Sequence, residues 1–167
     1  MKIRKSQLQD VDSIMNLIHQ AQHYFKEAHI DQWQDGYPIS DNIIEDIQKN
    51  ASYVICDQDI MGTMYFAIEK DPSYHVIQGQ WLTNDQPYAV IHRIVVDENH
   101  KGQNIAHHLL EFAISKCYEK GIHSIRIDTH EDNLSMQRFL KKHHFVKCGQ
   151  ITLSSGAPRI AFEKIIE

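Results

Sequence analysis

Lys101, Gly102, Gln103, Asn104, Ile105 and Ala106 make up the run of this chain whose residue types could hold a ligand. The run stands between the apolar stretch "AVIHRIVV" and a long amphipathic pattern that opens at Ile105. If that pattern is a helix, its first N–H groups lack intrahelical partners and face back toward the run. The positive end of the helix dipole adds to them, so a phosphate or pyrophosphate would be held there. Gly102 can take positive φ and lets a ligand approach the backbone, and Asn104 is the next most tolerant residue for a left-handed conformation. Ala106 keeps the first helical turn small beneath a ligand, and Lys101 adds a cation. Residue types alone fit a plain strand-to-helix connection equally well.

Other clusters point to less. His19 and His23 lie four apart, with Glu27 one turn further, a spacing that could hold a metal but that also describes a polar helix face. No metal is expected. The doublets His107-His108 and His143-His144 read as helix-surface and helix-end residues. Cys56, Cys117 and Cys148 are odd in number and form no C-x-x-C pair, which argues against a disulfide framework or a cysteine zinc site.

The bulk properties narrow the class. A chain of 167 residues with 42% hydrophobic and 23% charged residues has the size and balance of one globular domain, expected to span 1–167. A formal charge of −5 argues against binding a phosphate backbone, which needs clustered Lys and Arg. No stretch approaches the roughly 18 apolar residues of a membrane span, and "MKIRKSQLQD" lacks the apolar core of a signal peptide. The expectation is a cytoplasmic protein with no nucleic-acid or membrane partner.

The elements that must position the run follow from periodicity. "MKIRK" alternates like a strand. From Leu8 to about Ala28, Val11, Ile14, Met15, Leu17, Ile18 and Ala21 recur at helical spacing. Gly36 and Pro38 break the chain, and Ser40 or Asp41 is placed to cap a second helix reaching about Asn50. "SYVICD" and "IMGTMYFAIE" form a hairpin. "KDPSYHVIQGQWLTNDQPY" is loop with short strand content around Val76. "AVIHRIVV" lacks clean alternation, as a central strand buried on both faces does. Ile105 to Lys120 is a helix with Ala106, Leu109, Leu110, Ala113, Ile114 and Cys117 on one stripe, stopped by Gly121. "HSIRIDTH" is a strand. Asn133 to Lys142 is a shorter helix with Leu134, Met136, Phe139 and Leu140 inward. Two strands joined at Ser155-Gly156 close the chain. The order β-α-α-β-β-β-α-β-α-β-β describes an α/β fold, a mixed sheet with helices on both faces.

"VVDENHKGQNIAHHLL" resembles the acetyl-coenzyme A signature of the GCN5-related N-acetyltransferases, the GNAT superfamily: a central strand, Arg/Gln-x-x-Gly-x-Gly/Ala, then a helix. Lys101, Asn104 and Ala106 fall on its three defined positions. "NLSMQRFLKKHHF" resembles the second motif, Asn-x-x-Ala-x-x-x-Tyr-x-x-x-Gly-Phe, with Asn133 and Phe145 matching. The segment "WQDGYP" resembles that of a bacterial-type subgroup of uncharacterised members. The match is not complete. Lys101 replaces Arg/Gln, and Asn104 replaces the first Gly. Leu140 replaces the Tyr that often protonates the departing thiolate, and His144 replaces the second Gly.

The resemblance implies an acyltransferase moving an acetyl group directly from acetyl-CoA, as co-substrate, to an amine of a small molecule or peptide. It assigns the pantetheine arm to the backbone of Ile94, Val95 and Val96, where the central strand splays from its neighbour. The pyrophosphate goes to Lys101 through Ala106, and further coenzyme contacts to Asn133, Met136 and Phe139. An alkyl ammonium, with pKa of about 10.4, must lose a proton before it attacks. His92 in the central strand is the first candidate base, with Asp128 and Tyr88 as further candidates, Tyr88 also as a replacement acid. Trp33 and Tyr37 are expected at the wall of the acceptor pocket. Cys148 reads as a buried, inert thiol rather than a nucleophile. The rival readings are an acyl-CoA-binding sensor without catalysis and a nucleotide-binding protein. Against the latter, neither G-x-x-x-x-G-K-[ST] nor G-x-G-x-x-G occurs. The acceptor is not legible, and assembly as a homodimer stays open.

Overall fold

The computed structural model describes residues 1–167. Its helices are α1 (Val11–Glu27), α2 (Ser40–Gln48), α3 (Ile105–Lys120) and α4 (Leu134–Lys142). Its strands are β1 (Lys2–Lys5), β2 (Ser52–Cys56), β3 (Ile60–Ile68), β4 (Gln78–Gly79), β5 (Ala89–Val96), β6 (Ser124–Thr129), β7 (Val146–Thr152) and β8 (Pro158–Ile165). The strands hydrogen-bond in the order β1-β2-β3-β5-β6-β8-β7-β4, with β5 and β6 parallel. The mixed sheet expected from the sequence is therefore present, with β5 inside it and a two-residue strand, β4, in the stretch read as loop near Val76. No helix is long and apolar enough to cross a membrane.

The chain divides into two compact units, Met1–Phe66 with His92–Ala113, and Ala67–Ile91 with Ile114–Glu167. In the first, Val54 on β2 packs against Ile14 and Ile18 of α1 and Ile43 of α2. Its neighbour Tyr53 faces the other way, with its ring 5.2 Å from that of Phe112 on α3. Alternation along one strand thus seats helices on both faces, as period-2 side-chain direction requires. Arg4 and Asp10 close the start of α1, at 2.7 Å and 3.1 Å between guanidinium and carboxylate. The cap of α2 differs from expectation. Ser40 is already helical, and Asn42 Oδ1 accepts the Ile39 N–H at 2.8 Å, so the side chain reaches back from the third helical residue.

The second unit is held by a charged centre. Glu163 on β8 is fully buried. Its carboxylate accepts from Ser124 Oγ (2.5 Å), Leu82 N–H (2.7 Å), Thr83 N–H (3.3 Å), Thr83 Oγ1 (2.5 Å) and Arg126 Nε (3.3 Å). The Arg126 guanidinium lies 4.2 Å from the ring centroid of Trp81 and 4.1 Å from that of Tyr88, and its Nη2 donates to Thr83 O at 2.8 Å. A buried ion is costly unless paired and hydrogen-bonded, and this one is both. These contacts pin the 69–88 excursion onto β6 and β8. Further along, β4 crosses β7 so closely that a Cβ on Gly79 would sit 2.2 Å from Cys148 O, and one on Gly149 would sit 2.1 Å from Gln78 O. In α4 only Leu140 is fully buried. Leu134, expected inward, is 57% exposed because, six residues before the buried Leu140 on a 3.6-residue period, it falls on another side of the helix.

Replacing Glu163 by Ala leaves Arg126 unpaired in the interior and frees the 69–88 segment. We expect a loss of about 3–5 kcal/mol in urea unfolding, against a smaller loss for Glu163→Gln, which keeps an acceptor oxygen.

Candidate active site

The run that opened the sequence reading forms an exposed turn in the first unit. Asp97, directly after β5, donates its N–H to Met61 O at 2.8 Å, so the strand is still tied to β3 as it ends. Asp97 then organises a short 3-10 turn, Glu98–His100. Its Oδ1 accepts from Asn99 N–H (3.2 Å) and Gln20 Nε2 (3.3 Å), and its Oδ2 lies 3.2 Å from His100 Nδ1. Burial by itself would raise the Asp97 carboxyl. The Asn99 amide, Gln20 and His100 outweigh burial and hold it below its ordinary 3.8. Gln20 Oε1 also accepts the Glu98 N–H at 3.0 Å, which ties the turn to α1.

Gly102 and Asn104 then turn left-handed, with φ of 83° and 60°. A Cβ on Gly102 would meet nothing within 4 Å, so glycine serves the backbone angle there and not a crowded contact. Lys101, Gly102, Gln103 and Asn104 are all exposed, and Ala106 is half-buried. The Lys101 ammonium lies 5.3 Å from the ring centroid of Tyr24. His108 N–H donates to Asn104 O at 3.0 Å, so Asn104 is the residue from which α3 springs. Ile105, 2% exposed, plugs the first turn into the core beside Gly62 of β3. A Cβ on Gly62 would sit 2.9 Å from Ile105 Cγ2 and 3.1 Å from Val95 O. Three features therefore set the helix start: a missing side chain on β3, a buried isoleucine, and two left-handed residues before it.

The strand leading here holds one irregular residue. Arg93, in the middle of β5, has φ of 51°. Positive φ is uncommon for a residue with a side chain and departs from the extended geometry of a regular strand. Arg93 is held in that state by its side chain, which pairs with Asp46 on α2 at 2.5 Å, donates to the Tyr37 hydroxyl, and lies over the Tyr65 ring at 5.2 Å. Burial pushes the Asp46 carboxyl up, against the pull of Arg93. His92, half-buried, places its ring 5.5 Å from that of Tyr65, whose hydroxyl accepts from Lys49 Nζ at 2.9 Å. Beyond Arg93, Val95 is buried, and Ile94 and Val96 are half-buried. Trp33 turns edge-on to Phe25 at 5.8 Å and packs on the core of α1 and α2. Tyr37 is 40% exposed and reaches Arg93.

The remaining candidates lie in the second unit. Asp128, near the end of β6, accepts a hydrogen bond from the Tyr74 hydroxyl at 2.7 Å. Tyr88 gives its ring to Arg126, and its hydroxyl accepts the Asp71 N–H at 2.9 Å. Asn133 is 5% exposed and caps α4, its Oδ1 accepting the Met136 N–H at 3.2 Å. Met136 and Phe139 are half-buried, with the Phe139 ring 4.3 Å from His143. His144 takes φ of 67°, and Phe145 N–H closes back on Leu140 O at 2.9 Å, the way a helix ends on a left-handed residue. Cys148 is half-buried, its thiol raised by desolvation and the nearby Glu163 charge. Cys117, on α3, is buried and pushed up to about 11.

Arg93, Asp46 and Tyr74 carry no local signal in the sequence. Arg93 and Asp46 lie 47 residues apart, and Tyr74 and Asp128 lie 54 apart, so only the fold pairs them. No group of three or more His, Cys, Asp or Glu side chains is arranged to hold a metal ion. His19 and His23 are exposed on α1.

Residues 18–145 match the model of the Acetyltransferase (GNAT) family. A search of curated proteins finds no match. Among solved structures, a GNAT-family acetyltransferase of Streptococcus agalactiae 2603 is 32% identical, with a TM-score of 0.89, covering 99% of this chain and 95% of its own. A candidate acetyltransferase of Staphylococcus aureus Mu50 is 25% identical, with a TM-score of 0.77 over all of both chains. The yncA protein of Salmonella typhimurium, solved with its cofactor acetyl-CoA, shares the fold at 14% identity and a TM-score of 0.68, over 99% of this chain and 94% of its own.

Because Asp97 is held below 3.8, it stabilises the fold at every pH above that value and stops doing so as pH falls through its folded-state value. Asp97→Asn should therefore lower urea stability at pH 7. The gap between variant and wild type should shrink toward pH 3.

Proposed function

Since the chain belongs to the GNAT acetyltransferase family, we propose that it transfers an acetyl group from acetyl-CoA directly to a primary amine of a small molecule or peptide. The observation that carries this reading is the turn at Gly102 and Asn104, left-handed at both residues and opening straight into α3. Backbone N–H groups at a helix start, with the helix dipole behind them, suit the coenzyme's diphosphate, and Lys101 adds charge beside them. The acetyl-CoA held by yncA of Salmonella typhimurium supports extending the coenzyme to this fold. Ile94, Val95 and Val96, just beyond the left-handed Arg93, would offer strand backbone to the pantetheine arm. Asn133, Met136 and Phe139 would add contacts from α4.

Chemistry then needs a base, an oxyanion donor and a leaving thiolate. The ammonium gives its proton to the base and keeps the N–H electron pair. That pair attacks the thioester carbonyl, the nitrogen then gives its second proton to solvent, and the tetrahedral oxyanion collapses with the C–S bonding pair leaving on coenzyme A. A backbone N–H of β5 at the oxyanion would contribute about 3 kcal/mol. Of the three sequence candidates we favour Asp128 as base, because a buried hydroxyl orients it. His92 packs against Tyr65, and Tyr88 is engaged by Arg126 and Asp71. Leu140, 1% exposed, cannot protonate the thiolate, so coenzyme A leaves as the anion and is protonated by solvent. Trp33 and Tyr37 would flank the acceptor, Tyr37 from the exposed side.

Calorimetric titration with acetyl-CoA tests the coenzyme site. Wild type should bind. Asn104→Pro, which cannot take φ of 60°, and Ala106→Trp should lose binding by 100-fold or more while still melting cooperatively. Unchanged affinity in both removes the turn from the reading. Release of free thiol with spermidine, kanamycin, L-lysine and an alanine-terminated peptide separates an enzyme from an acyl-CoA sensor, which would bind without turnover. Asp128→Asn should slow turnover about 100-fold or more, and His92→Ala less than tenfold. The reverse order would make His92 the base.

A further inference from the structure

Gln20 and Tyr24 lie four apart on one face of α1, and both reach the turn that follows β5. Gln20 uses both ends of its amide there. Its Nε2 donates to Asp97 Oδ1 at 3.3 Å, and its Oε1 accepts the Glu98 N–H at 3.0 Å. The first bond holds the carboxylate around which the 3-10 turn is built, and the second holds that turn's opening residue. Tyr24 acts one helical turn further on, where its ring centroid lies 5.3 Å from the Lys101 ammonium. A lysine in an exposed turn would sample many rotamers, whereas a ring face gives its ammonium a seat. The ring is neutral, so it holds the cation without cancelling its charge as a carboxylate would. Packing does little for the turn itself. Lys101, Gly102, Gln103 and Asn104 are exposed, and Gly102 and Asn104 are both left-handed. Between the Asp97 amide, tied to β3, and the buried Ile105, Gln20 and Tyr24 bring a neighbouring helix to bear on it.

We propose that Gln20 and Tyr24 are positioning residues for the coenzyme's diphosphate: Gln20 fixes the turn whose amides receive it, and Tyr24 seats Lys101 beside those amides. The proposal rests on the reading of this turn as the diphosphate site and deepens it. Every part of the clamp lies in one compact unit, Met1–Phe66 with His92–Ala113. A turn already ordered when the ligand arrives binds more tightly than one the ligand must order, in proportion to the competent fraction. Two bonds from one side chain to consecutive residues, Asp97 and Glu98, supply that order at the point where the chain leaves β5.

Nitrogen-15 relaxation of the free chain reads the clamp without coenzyme. In Gln20→Ala the amides from Glu98 to Asn104 should show lower order parameters, while the rest of α3 stays as in wild type. Calorimetric titration with acetyl-CoA reads the consequence. Gln20→Ala should weaken binding about tenfold, since two bonds that preorganise the turn are lost. Tyr24→Leu should weaken it about threefold, and Tyr24→Phe, which keeps the ring face, should recover most of that loss. In a Lys101→Gln background, Tyr24→Leu should cost nothing more. The Gln20→Ala factor should be the same for acetyl-CoA and for its 3′-dephospho form, which keeps the diphosphate. Gln20 is half-buried and Tyr24 exposed, and both replacements are good helix formers, so thermal melting should stay cooperative. Unchanged affinity in Gln20→Ala overturns the role of Gln20, and lost binding in Asn104→Pro beside it leaves the diphosphate reading standing. Full cost of Tyr24→Leu in the Lys101→Gln background overturns the role of Tyr24. A loss seen with acetyl-CoA and absent with the dephospho form moves the contact to the 3′-phosphate and overturns the proposal. Equal affinity of Asn104→Pro and wild type overturns both the proposal and the reading beneath it.

Discussion

A left-handed residue inside a strand is the constraint from which the rest of the first unit follows. Arg93 holds φ of 51° in β5, a conformation costing on the order of 1–3 kcal/mol for a residue with a side chain. The cost is offset by what that side chain reaches: the Asp46 carboxylate, the Tyr37 hydroxyl and the face of Tyr65. The same guanidinium thereby ties α2 and the 31–39 link to the strand.

The second unit solves a different problem with a similar device. A long excursion between β3 and β5 has little regular structure of its own, so its backbone needs partners elsewhere. Glu163 supplies them, accepting two backbone amides and two hydroxyls around one buried carboxylate, while Arg126 balances the charge between two aromatic faces. In both units a charged side chain does what an apolar core could not. It specifies one geometry for a segment that hydrophobic pattern leaves undefined.

The elements with strong period were legible. The bounds of α3 and β5 follow from the apolar stripe and from "AVIHRIVV", and Gly121 ends α3 as expected. Asn104 and His144, which stand where the family has glycine, both adopt positive φ, so the backbone demand is kept although the residue changed. Ser40 and Asp41 are good cap types, yet the bond at the start of α2 comes from Asn42 further in. Leu134 reads as apolar and inward, yet six residues before Leu140 it falls on another side of the helix. The Arg93–Asp46 pair and the Tyr74–Asp128 bond are illegible for a plainer reason. Each joins residues some fifty positions apart, and a single sequence holds no record of which distant pairs meet.

The crossing of Gly79 and Gly149 has a consequence of its own. Each glycine would strike the other strand's main chain, not a side chain that could be trimmed in return. Ordinary steric conflicts in a protein can be relieved by a second, compensating change across the contact. Here no such partner change exists, because backbone cannot be shortened. The two positions are therefore closed to drift, singly and together, in any descendant that keeps β4 zipped to β7.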